Sequence, residues 1–335
     1  MKRNGGWSAS SANILRHNGW EFGMGILVVG SVALDSVKTP FGSKEDVLGG
    51  SATYFSIAAS YFSDVSIVAV IGDDFPEEHL AFLRRKGIDI SGLERQPGKT
   101  FRWKGEYGFD LNTRTTLDTQ LNVFANFSPK LLSSHRSKEY VFLGNIDPDL
   151  QRSVLEQMHR PKLVACDTMN YWIEKKRSAL LRTLSMIDIL VINDAETRQL
   201  ADEASLIRAA RRILAWGPKM LVIKRGEYGV FMIGSESIFV VPAFPVEEVL
   251  DPTGAGDSFA GGLIGYLAAA GAHDDDAMRM AVVFGSVMAS FNVMDFGPRV
   301  LGDLTYPEIE GRYREFRKIS VFGDIEGLTS KTPSL

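Results

Sequence analysis

The sequence predicts an α/β fold in which helices flank a central, mostly parallel β-sheet that carries a small inserted sheet. Two observations support this fold class: apolar runs alternate with helical segments, and one aromatic stretch breaks the alternation. The alternation begins with a strand at Ile26–Val29, a helix at Ala52–Phe62, a strand at Ser66–Ile71 and a helix at Glu77–Lys86. Strands and helices in this order build a parallel, doubly wound sheet.

The aromatic stretch lies between Lys99 and Phe127 and has no helical period. It contains several threonines, the turn residues Gly105, Gly108 and Asn112, and the aromatic residues Trp103, Tyr107, Phe109, Phe124 and Phe127. This composition predicts a small antiparallel sheet inserted into the α/β body. Such a sheet is a lid over a ligand, a surface for a partner or an ordinary edge sheet, and the residues alone leave these alternatives open.

After the insert the α/β alternation resumes. Apolar runs predict strands at Tyr140–Leu143, Leu163–Ala165, Ile189–Ile192, Met220–Ile223 and Val230–Ile233. Helices are expected at about Leu150–His159, Lys175–Ser185, Ala195–Glu203, Ser205–Trp216, Ser258–Ala270 and Asp276–Asn292, and from Pro307 to about Arg317. The chain shows no repeats and no low-complexity linker, so we interpret residues 25–320 as one body with a disordered extension at 1–24 and a polar tail at 321–335.

The composition excludes several classes of function. The 335 residues carry a formal net charge of −4 and no basic run, which argues against a nucleic-acid or acidic-membrane partner. No apolar stretch reaches the length of a membrane span. Cys166 is the only cysteine, so an internal disulfide and a thiolate zinc site are excluded, and a cytoplasmic location is expected.

The stretch Asp251–Asp257 carries the most specific chemical signal. It reads Asp-Pro-Thr-Gly-Ala-Gly-Asp and precedes a predicted helix of small and apolar residues. Small residues allow a sharp turn that directs the N–H groups of Ala255, Gly256 and Asp257 into one space, where the helix dipole adds positive potential. The result is an anion hole for a phosphate group, with the Asp257 carboxylate placed to take the proton of an attacking alcohol. A helix N-cap is the simpler alternative, but two aspartates framing Gly-Ala-Gly favour the site.

This segment resembles the C-terminal signature of the ribokinase-like (PfkB) family of sugar and nucleoside kinases, and the resemblance extends over roughly Gly25–Phe316. It implies a ribokinase-like fold whose lid, at about 35–48 and 97–127, covers the acceptor. It also implies ATP and Mg²⁺ as reaction partners and leaves a need for K⁺ open. In this family Asp257 would be the catalytic base, and Gly254, Ala255 and Gly256 would form the anion hole.

The resemblance also assigns residues to the acceptor. Gly49 and Gly50 resemble a glycine motif where the backbone approaches the acceptor, and Asp35 matches an aspartate that binds its hydroxyl groups. Tyr54 stands where many relatives have an acceptor-binding asparagine. This departure argues against a plain ribokinase and leaves the acceptor undefined.

The nucleotide side is assigned in the same way. Asn193 and Glu196 resemble a motif that organises Mg²⁺, with Glu196 acting through water, although a helix N-cap explains them as well. Lys224, Gly226 and Gly229 match a loop that contacts the nucleotide in this family. Ser286 and Ala289 match a helix beside the adenine, and Asp167 and Asn170 match an element of fructokinase-like members.

Several functions stay open at this point. A sugar kinase is the leading hypothesis, and a nucleoside kinase of the same family is the alternative. A non-catalytic sensor that binds a sugar or a nucleotide is a third hypothesis. A nicotinamide-dependent dehydrogenase is disfavoured because no Gly-x-Gly-x-x-Gly follows Ile26–Val29. The lid aromatics are also compatible with a homodimer formed through the lid.

Overall fold

The structure, a computed structural model, describes residues 25–321. The extension predicted at 1–24 and the tail beyond Val321 lie outside the described residues. Within this range no helix is both long enough and apolar enough to span a membrane.

The strands form two sheets. Their bounds are β1 (Ile26–Val29), β2 (Ala33–Thr39), β3 (Gly42–Gly49), β4 (Val65–Gly72), β5 (Asp89–Gln96), β6 (Arg102–Tyr107), β7 (Arg114–Gln120), β8 (Tyr140–Leu143), β9 (Leu163–Asp167), β10 (Ile189–Asn193), β11 (Met220–Lys224), β12 (Val230–Ile233) and β13 (Ile238–Val241). The nine-stranded sheet has the order β13-β12-β11-β10-β9-β8-β1-β4-β5 and is parallel except at β11–β12 and β12–β13. The mostly parallel central sheet predicted from the sequence is confirmed.

Helices cover both faces of this sheet. Their bounds are α1 (Ser51–Ala59), α2 (Glu77–Arg85), α3 (Ser133–Arg136), α4 (Pro148–Gln157), α5 (Asn170–Lys175), α6 (Arg177–Leu184), α7 (Asp194–Ala201), α8 (Leu206–Leu214), α9 (Ala255–Ala270), α10 (Asp275–Asn292), α11 (Arg299–Asp303) and α12 (Tyr306–Ser320). Side chains alternate across β1: Ile26 and Val28 pack with α1, α9 and α10, whereas Leu27 and Val29 pack with α4 and α6–α8. This alternation explains why the strands are apolar at every position.

A separate four-stranded sheet of order β3-β2-β6-β7 contains the segments predicted as a lid, and we call it the lid after that prediction. The hairpins β2–β3 and β6–β7 are antiparallel, but β2 pairs with β6 in parallel. The antiparallel sheet predicted for Lys99–Phe127 is present as the β6–β7 hairpin, whereas the parallel pairing at the centre of the lid was not predicted. The reason is that two hairpins distant in sequence meet there, and composition does not specify their relative direction.

Two of the predicted lid aromatics belong to the body instead. Phe124 lies in a 3₁₀ turn at Asn122–Asn126 and stacks on Phe127, with 5.5 Å between ring centroids. Phe127 is buried in the core cluster beneath the sheet, and Phe124 packs against that cluster. The aromatic residues therefore predicted the insert correctly but not its end, because the last lid strand ends at Gln120 and not near Phe127.

Helix boundaries also differ from the sequence-based expectation. Helix α9 begins at Ala255 rather than Ser258, because Gly254 adopts a left-handed φ of 77° and starts the helix directly after the turn. Helix α1 ends at Ala59, so Phe62 lies beyond it. Strands β5 and β13 were not predicted. The mixed polar sequence of β5 lacks the continuous apolar run of a buried strand, whereas β13 has the sequence Ile-Phe-Val-Val and was missed although it is apolar throughout.

The parallel strands direct their carboxyl ends toward one edge of the sheet. Asp167 ends β9, Asn193 ends β10 and Lys224 ends β11, in neighbouring positions. Because ligands of open α/β sheets bind outside the carboxyl ends of the strands, this edge is where a site is expected.

Candidate active site

The turn before α9 is held by side chains on two sides. Asp251 Oδ1 accepts a hydrogen bond from Thr253 N at 2.8 Å. From α10, Asn292 Nδ2 donates to Thr253 O at 2.7 Å, and Asn292 Oδ1 accepts from Ser258 Oγ at 3.0 Å. Asn292 is buried, so this clamp fixes the turn from the side of α10.

The turn presents two amide hydrogens rather than three. Ala255 N donates to Pro252 O at 3.2 Å, so this amide is already used. Among the described residues, Gly256 N and Asp257 N donate to no carbonyl oxygen, as expected for the first turn of a helix. These two amides and the positive end of α9 lie where the sequence predicts an anion hole, and that role stays a prediction.

Asp257 lies at the mouth of this turn. The residue is half-buried, whereas the following Ser258 is fully buried, so its carboxylate is not lost in the packed interior. Burial and the nearby charge of Asp167 raise the pKa of Asp257 to about 7, while Lys224 and Arg114 act in the opposite direction. A carboxyl group with this pKa is able to take up and release a proton near neutral pH.

Lys224 brings a positive charge to the same turn. Its Nζ lies 2.9 Å from Asp167 Oδ2, and a side-chain Cβ built on Gly256 would lie 2.9 Å from the same Nζ. Burial alone would favour neutral lysine, but the charges of Asp167, Asp257 and Glu196 prevail and raise the pKa of Lys224. Lys224 is therefore a charged group beside Gly256, where a phosphate would meet it.

Asn193 and Glu196 form a reciprocal helix cap. Asn193 Oδ1 accepts from Glu196 N at 2.7 Å, and Glu196 Oε2 accepts from Asn193 N at 3.1 Å. Burial and the charge of Asp167 raise the pKa of Glu196 to about 7, which places this carboxyl group in the same electrostatic cluster as Lys224. The cap engages Oε2 and leaves Oε1 for another partner.

The acceptor residues predicted from the sequence lie close together on the other side of the turn. Asp35 Oδ2 accepts from Gly50 N at 3.3 Å, and any side chain at Gly49 would overlap the Asp35 carboxylate. Burial raises the pKa of Asp35 to about 7, and the charges of Asp251 and Asp257 add to this effect. The influence of the Asp257 charge on Asp35 is consistent with Asp35 lying near the Asp251–Asp257 segment, which we call the catalytic turn after its predicted role.

Tyr54 packs where these two parts meet. Its side chain is 1% exposed, and its ring lies against the backbone of Gly254, where a side chain would overlap it. Within residues 25–321 its hydroxyl group has no hydrogen-bond partner. Tyr54 therefore supports the catalytic turn by packing.

One face of the lid, which we call its inner face, is defined by Asp35, Trp103 and Tyr107. Asp35 and Trp103 are paired in register, and Tyr107 follows Trp103 on the same side of β6. Thr253 Oγ1 donates to Tyr107 Oη at 3.3 Å, so the lid touches the catalytic turn.

The lid also reaches the predicted nucleotide loop. At the tip of the β6–β7 hairpin, Asn112 Nδ2 donates to Glu227 Oε1 at 3.0 Å. Sequence reasoning missed this contact and also missed Arg114, whose charge acts on Asp35, Glu196 and Asp257. The alternation of side chains along β7 could have indicated Arg114 only if the strand register had been known.

The remaining residues that were predicted to bind the nucleotide or the substrate have other surroundings. The Ser286 hydroxyl group donates to Val282 O within α10, so it bonds to its own helix. Gly229, at a φ of 84°, lies against β13 and shapes the β11–β12 hairpin. Gly226 and Asn170 are exposed, and Ala289 is half-buried.

A family model described as pfkB family carbohydrate kinase matches residues 29–292 of this chain. The chain belongs to the PfkB family. Its predicted ribokinase-like fold is thereby confirmed, as is its membership of a family of ATP-dependent kinases that act on sugars and nucleosides.

Individual relatives of this PfkB chain include both kinds of kinase. A cytidine kinase of Thermococcus kodakarensis is 31% identical over 247 residues, which cover 72% of this chain and 88% of that protein. A nucleoside kinase of Burkholderia thailandensis solved in complex with inosine has a TM-score of 0.72 at 20% identity, covering 87% of this chain and 97% of its own. A putative ribokinase II from E. coli solved with ATP and Mg²⁺ has a TM-score of 0.72 at 19% identity, covering 87% and 99%.

The residues of this PfkB chain suit Mg²⁺ bound largely by water and phosphate. Residues 25–321 contain no group of three or more side chains arranged to hold a metal ion. Glu196 nevertheless offers one carboxylate oxygen outside its helix cap, near Asp167 and Lys224. One carboxylate is enough for Mg²⁺, which keeps several waters and binds substrate phosphates.

Proposed function

We propose that the protein transfers the terminal phosphoryl group of ATP to a hydroxyl group of a sugar-containing acceptor, with Asp257 as the catalytic base. The observation that carries this proposal is the position of Asp257 in the first turn of α9, where the amides of Gly256 and Asp257 bond to no carbonyl oxygen, Lys224 lies beside Gly256, and Asp35 is near enough for its charge to interact with that of Asp257. A base, an anion hole and a cation at one point are sufficient for phosphoryl transfer, which depends mainly on positioning and charge neutralisation.

In the proposed reaction, the Asp257 carboxylate accepts the hydroxyl proton as the acceptor oxygen bonds to the γ-phosphorus. The bond between that phosphorus and the bridging oxygen breaks, and ADP leaves with the electron pair. The amides of Gly256 and Asp257, together with Lys224, stabilise the charge on the transferring group. Mg²⁺ neutralises phosphate charge when bound, and Glu196 is the residue that would hold it, through water.

A nucleoside is the acceptor class that we favour over a free sugar. The ring of Trp103 lies across Gly105, since a side chain at Gly105 would overlap the ring, and this places a flat aromatic surface on the inner face of the lid. An aromatic ring in this position suits stacking against a nucleobase, whereas a free sugar offers no such flat partner. The relatives that act on cytidine or bind inosine support the same choice.

The acceptor class is tested by ADP release with a panel of free sugars and ribonucleosides. We expect turnover with at least one nucleoside, and Trp103→Leu should raise its KM by about 10-fold or more with a smaller change in kcat. The matched control is Phe109→Leu, because Phe109 is 87% exposed in the hairpin turn. Turnover with free sugars alone would remove the nucleoside assignment, and no turnover with any acceptor would favour the sensor.

We further propose a K⁺ site at Asp251. This carboxyl group is fully buried, its Oδ2 has no hydrogen-bond partner in the described part of the chain, and burial raises its pKa. A monovalent cation at Oδ2 would satisfy the charge and stabilise the catalytic turn.

Replacing choline by K⁺ at constant ionic strength should raise both activity and melting temperature. Asp251→Asn should remove both responses, and equal responses in the variant would contradict the site.

Two further expectations stay predictions. A homodimer through the lid is testable by the molar mass of the full chain in solution. A cytoplasmic location is testable by cell fractionation.

A further inference from the structure

Gln151 is a buried amide on the helix that follows β8. It belongs to α4, and its side chain is 1% exposed on the face that also carries Pro148 and Val154. Burying an amide costs free energy unless its polar atoms are hydrogen-bonded. Gln151 Nε2 donates to Gly144 O at 2.9 Å and to Asp167 O at 3.0 Å. Both hydrogens of this amide nitrogen therefore bond to the backbone at the carboxyl ends of β8 and β9.

The two bonded carbonyl groups mark the point where β8 and β9 separate. Leu143 pairs with Cys166 in the sheet, and Gly144 and Asp167 are the residues that follow them in the chain. Beyond this point one segment leads into α4 and the other leads toward α5. The Gln151 amide bridges the two segments where they part, so it fixes the distance between the two strand ends.

One side of this bridge leads to the predicted acceptor residues. Gly144 N donates to Val29 O at 2.8 Å, and a side-chain Cβ built on Gly144 would lie 2.8 Å from Ser51 Oγ. Ser51 begins α1 directly after Gly50, whose N–H donates to the Asp35 carboxylate. A displacement of Gly144 would therefore also displace the start of α1 and the acceptor residues in front of it.

The other side of the bridge leads to the charges at the catalytic turn. Asp167 accepts from Gln151 with its backbone oxygen, and its Oδ2 lies 2.9 Å from Lys224 Nζ. Asp167 Oδ1 accepts from Thr168 N at 2.7 Å, so the carboxylate is tied to the same stretch of backbone. Lys224 in turn lies beside Gly256. Gln151 therefore acts on the position of Lys224 through Asp167.

We propose that Gln151 is a positioning residue that sets the spacing between the bound acceptor and the transferring phosphoryl group. This inference rests on the proposed function, in which the acceptor binds beside Asp35 and Lys224 stabilises the phosphoryl group. If the two strand ends moved apart, each substrate would keep its own contacts, but the acceptor oxygen would no longer lie at the right distance from the γ-phosphorus. Phosphoryl transfer depends on this positioning, and a displacement of about 1 Å lowers such a rate by up to about 10²-fold.

The test compares Gln151→Met with Gln157→Met, because methionine resembles glutamine in length but has no N–H donor. Gln157 is the matched control: it ends α4, and its Nε2 also bridges two backbone oxygens, those of Pro129 and Ser153. Both variants are assayed with the ribonucleoside that gives the highest turnover in the acceptor panel. Gln151→Met should lower kcat by about 10–10²-fold, while the dissociation constants of ATP and of the nucleoside each stay within about threefold of wild type. Gln157→Met should keep wild-type kcat.

A second comparison separates positioning from a general loss of structure. In a Lys224→Met background the placement of Lys224 no longer matters, so adding Gln151→Met should change kcat by less than about threefold. An equal fall of kcat in both backgrounds would overturn the inference, since Gln151 would then act only on the fold. If thermal unfolding shows that Gln151→Met does not fold, Gln151→Asn takes its place, because its shorter side chain cannot reach both oxygens.

The two proposals fail in different ways. Unchanged kcat in Gln151→Met would overturn the positioning role, while a large loss in Asp257→Asn in the same assay would leave the proposed function intact. If the wild-type protein turned over no acceptor, the proposed function would fail and the role of Gln151 would fail with it.

Discussion

Asp257→Asn is expected to lower kcat by about 10²–10⁴-fold while ATP affinity stays within about threefold of wild type. The substitution keeps the size of the side chain but removes the group that accepts the hydroxyl proton. The proposed anion hole uses the backbone amides of Gly256 and Asp257, which the substitution leaves in place. The measurements are steady-state turnover by ADP release and ATP binding by calorimetry.

The same base predicts a pH dependence. Because the pKa of Asp257 is raised to about 7 and the base acts in its deprotonated form, kcat/KM should fall as the pH drops below about 7. Asp35 has a pKa raised to about 7 as well, so Asp35→Asn is the control. The acidic fall should persist in Asp35→Asn and disappear from the residual activity of Asp257→Asn.

One result would contradict this assignment directly. If Asp257→Asn kept wild-type kcat and an unchanged pH profile, the proton would have to leave by another route. Asp35 would then be the next carboxylate to examine, because it lies on the acceptor side of the same turn. A loss of ATP affinity without a loss of kcat would instead assign Asp257 to nucleotide binding.

Lys224→Met is expected to produce the second large effect, a fall in kcat/KM of about 10²–10³-fold. Lys224 Nζ lies beside Gly256 and is held by Asp167, so its loss removes positive charge from the anion hole. The substitution also leaves the buried Asp167 carboxylate without its partner, which should lower the free energy of unfolding by about 3–5 kcal/mol.

A double variant separates these two consequences. Lys224→Met with Asp167→Asn removes both charges, so most of the lost stability should return while activity stays low. Denaturant unfolding measures stability, and ADP release measures turnover. If activity returned together with stability, Lys224 would act only by keeping the fold intact. Lys224→Arg retains the charge and should be the least impaired of the single variants.

The catalytic turn could be predicted because its information is local. Residues from Asp251 to Asp257 contain the small residues of a tight turn, the start of a helix and the acid, within seven positions of the sequence. The apolar strands of the central sheet were predictable for the same reason, since burial on both faces requires apolar residues throughout. Even here, the bond between Ala255 N and Pro252 O depends on the turn geometry and was not foreseen.

The lid could not be predicted to the same depth. Its function depends on which side chains share a face, and this is fixed by pairing between hairpins that are distant in sequence. A shift of one residue in strand register would move Arg114 from the inner face to the opposite one. The contact between Asn112 and Glu227, which are 115 positions apart, is equally invisible in composition and spacing.

Tyr54 has a consequence for the evolution and redesign of this enzyme. The predicted acceptor residues come from the first third of the chain, whereas the turn, Lys224 and Glu196 come from the remainder. New substrates could therefore be accommodated by changing the early segment alone. Tyr54 is an exception, because its ring supports Gly254 from beneath. A smaller residue at position 54 would leave more space beside the acceptor but would also remove the packing that holds Gly254. A variant at this position that changes acceptor specificity would therefore need a second substitution that restores support for the turn.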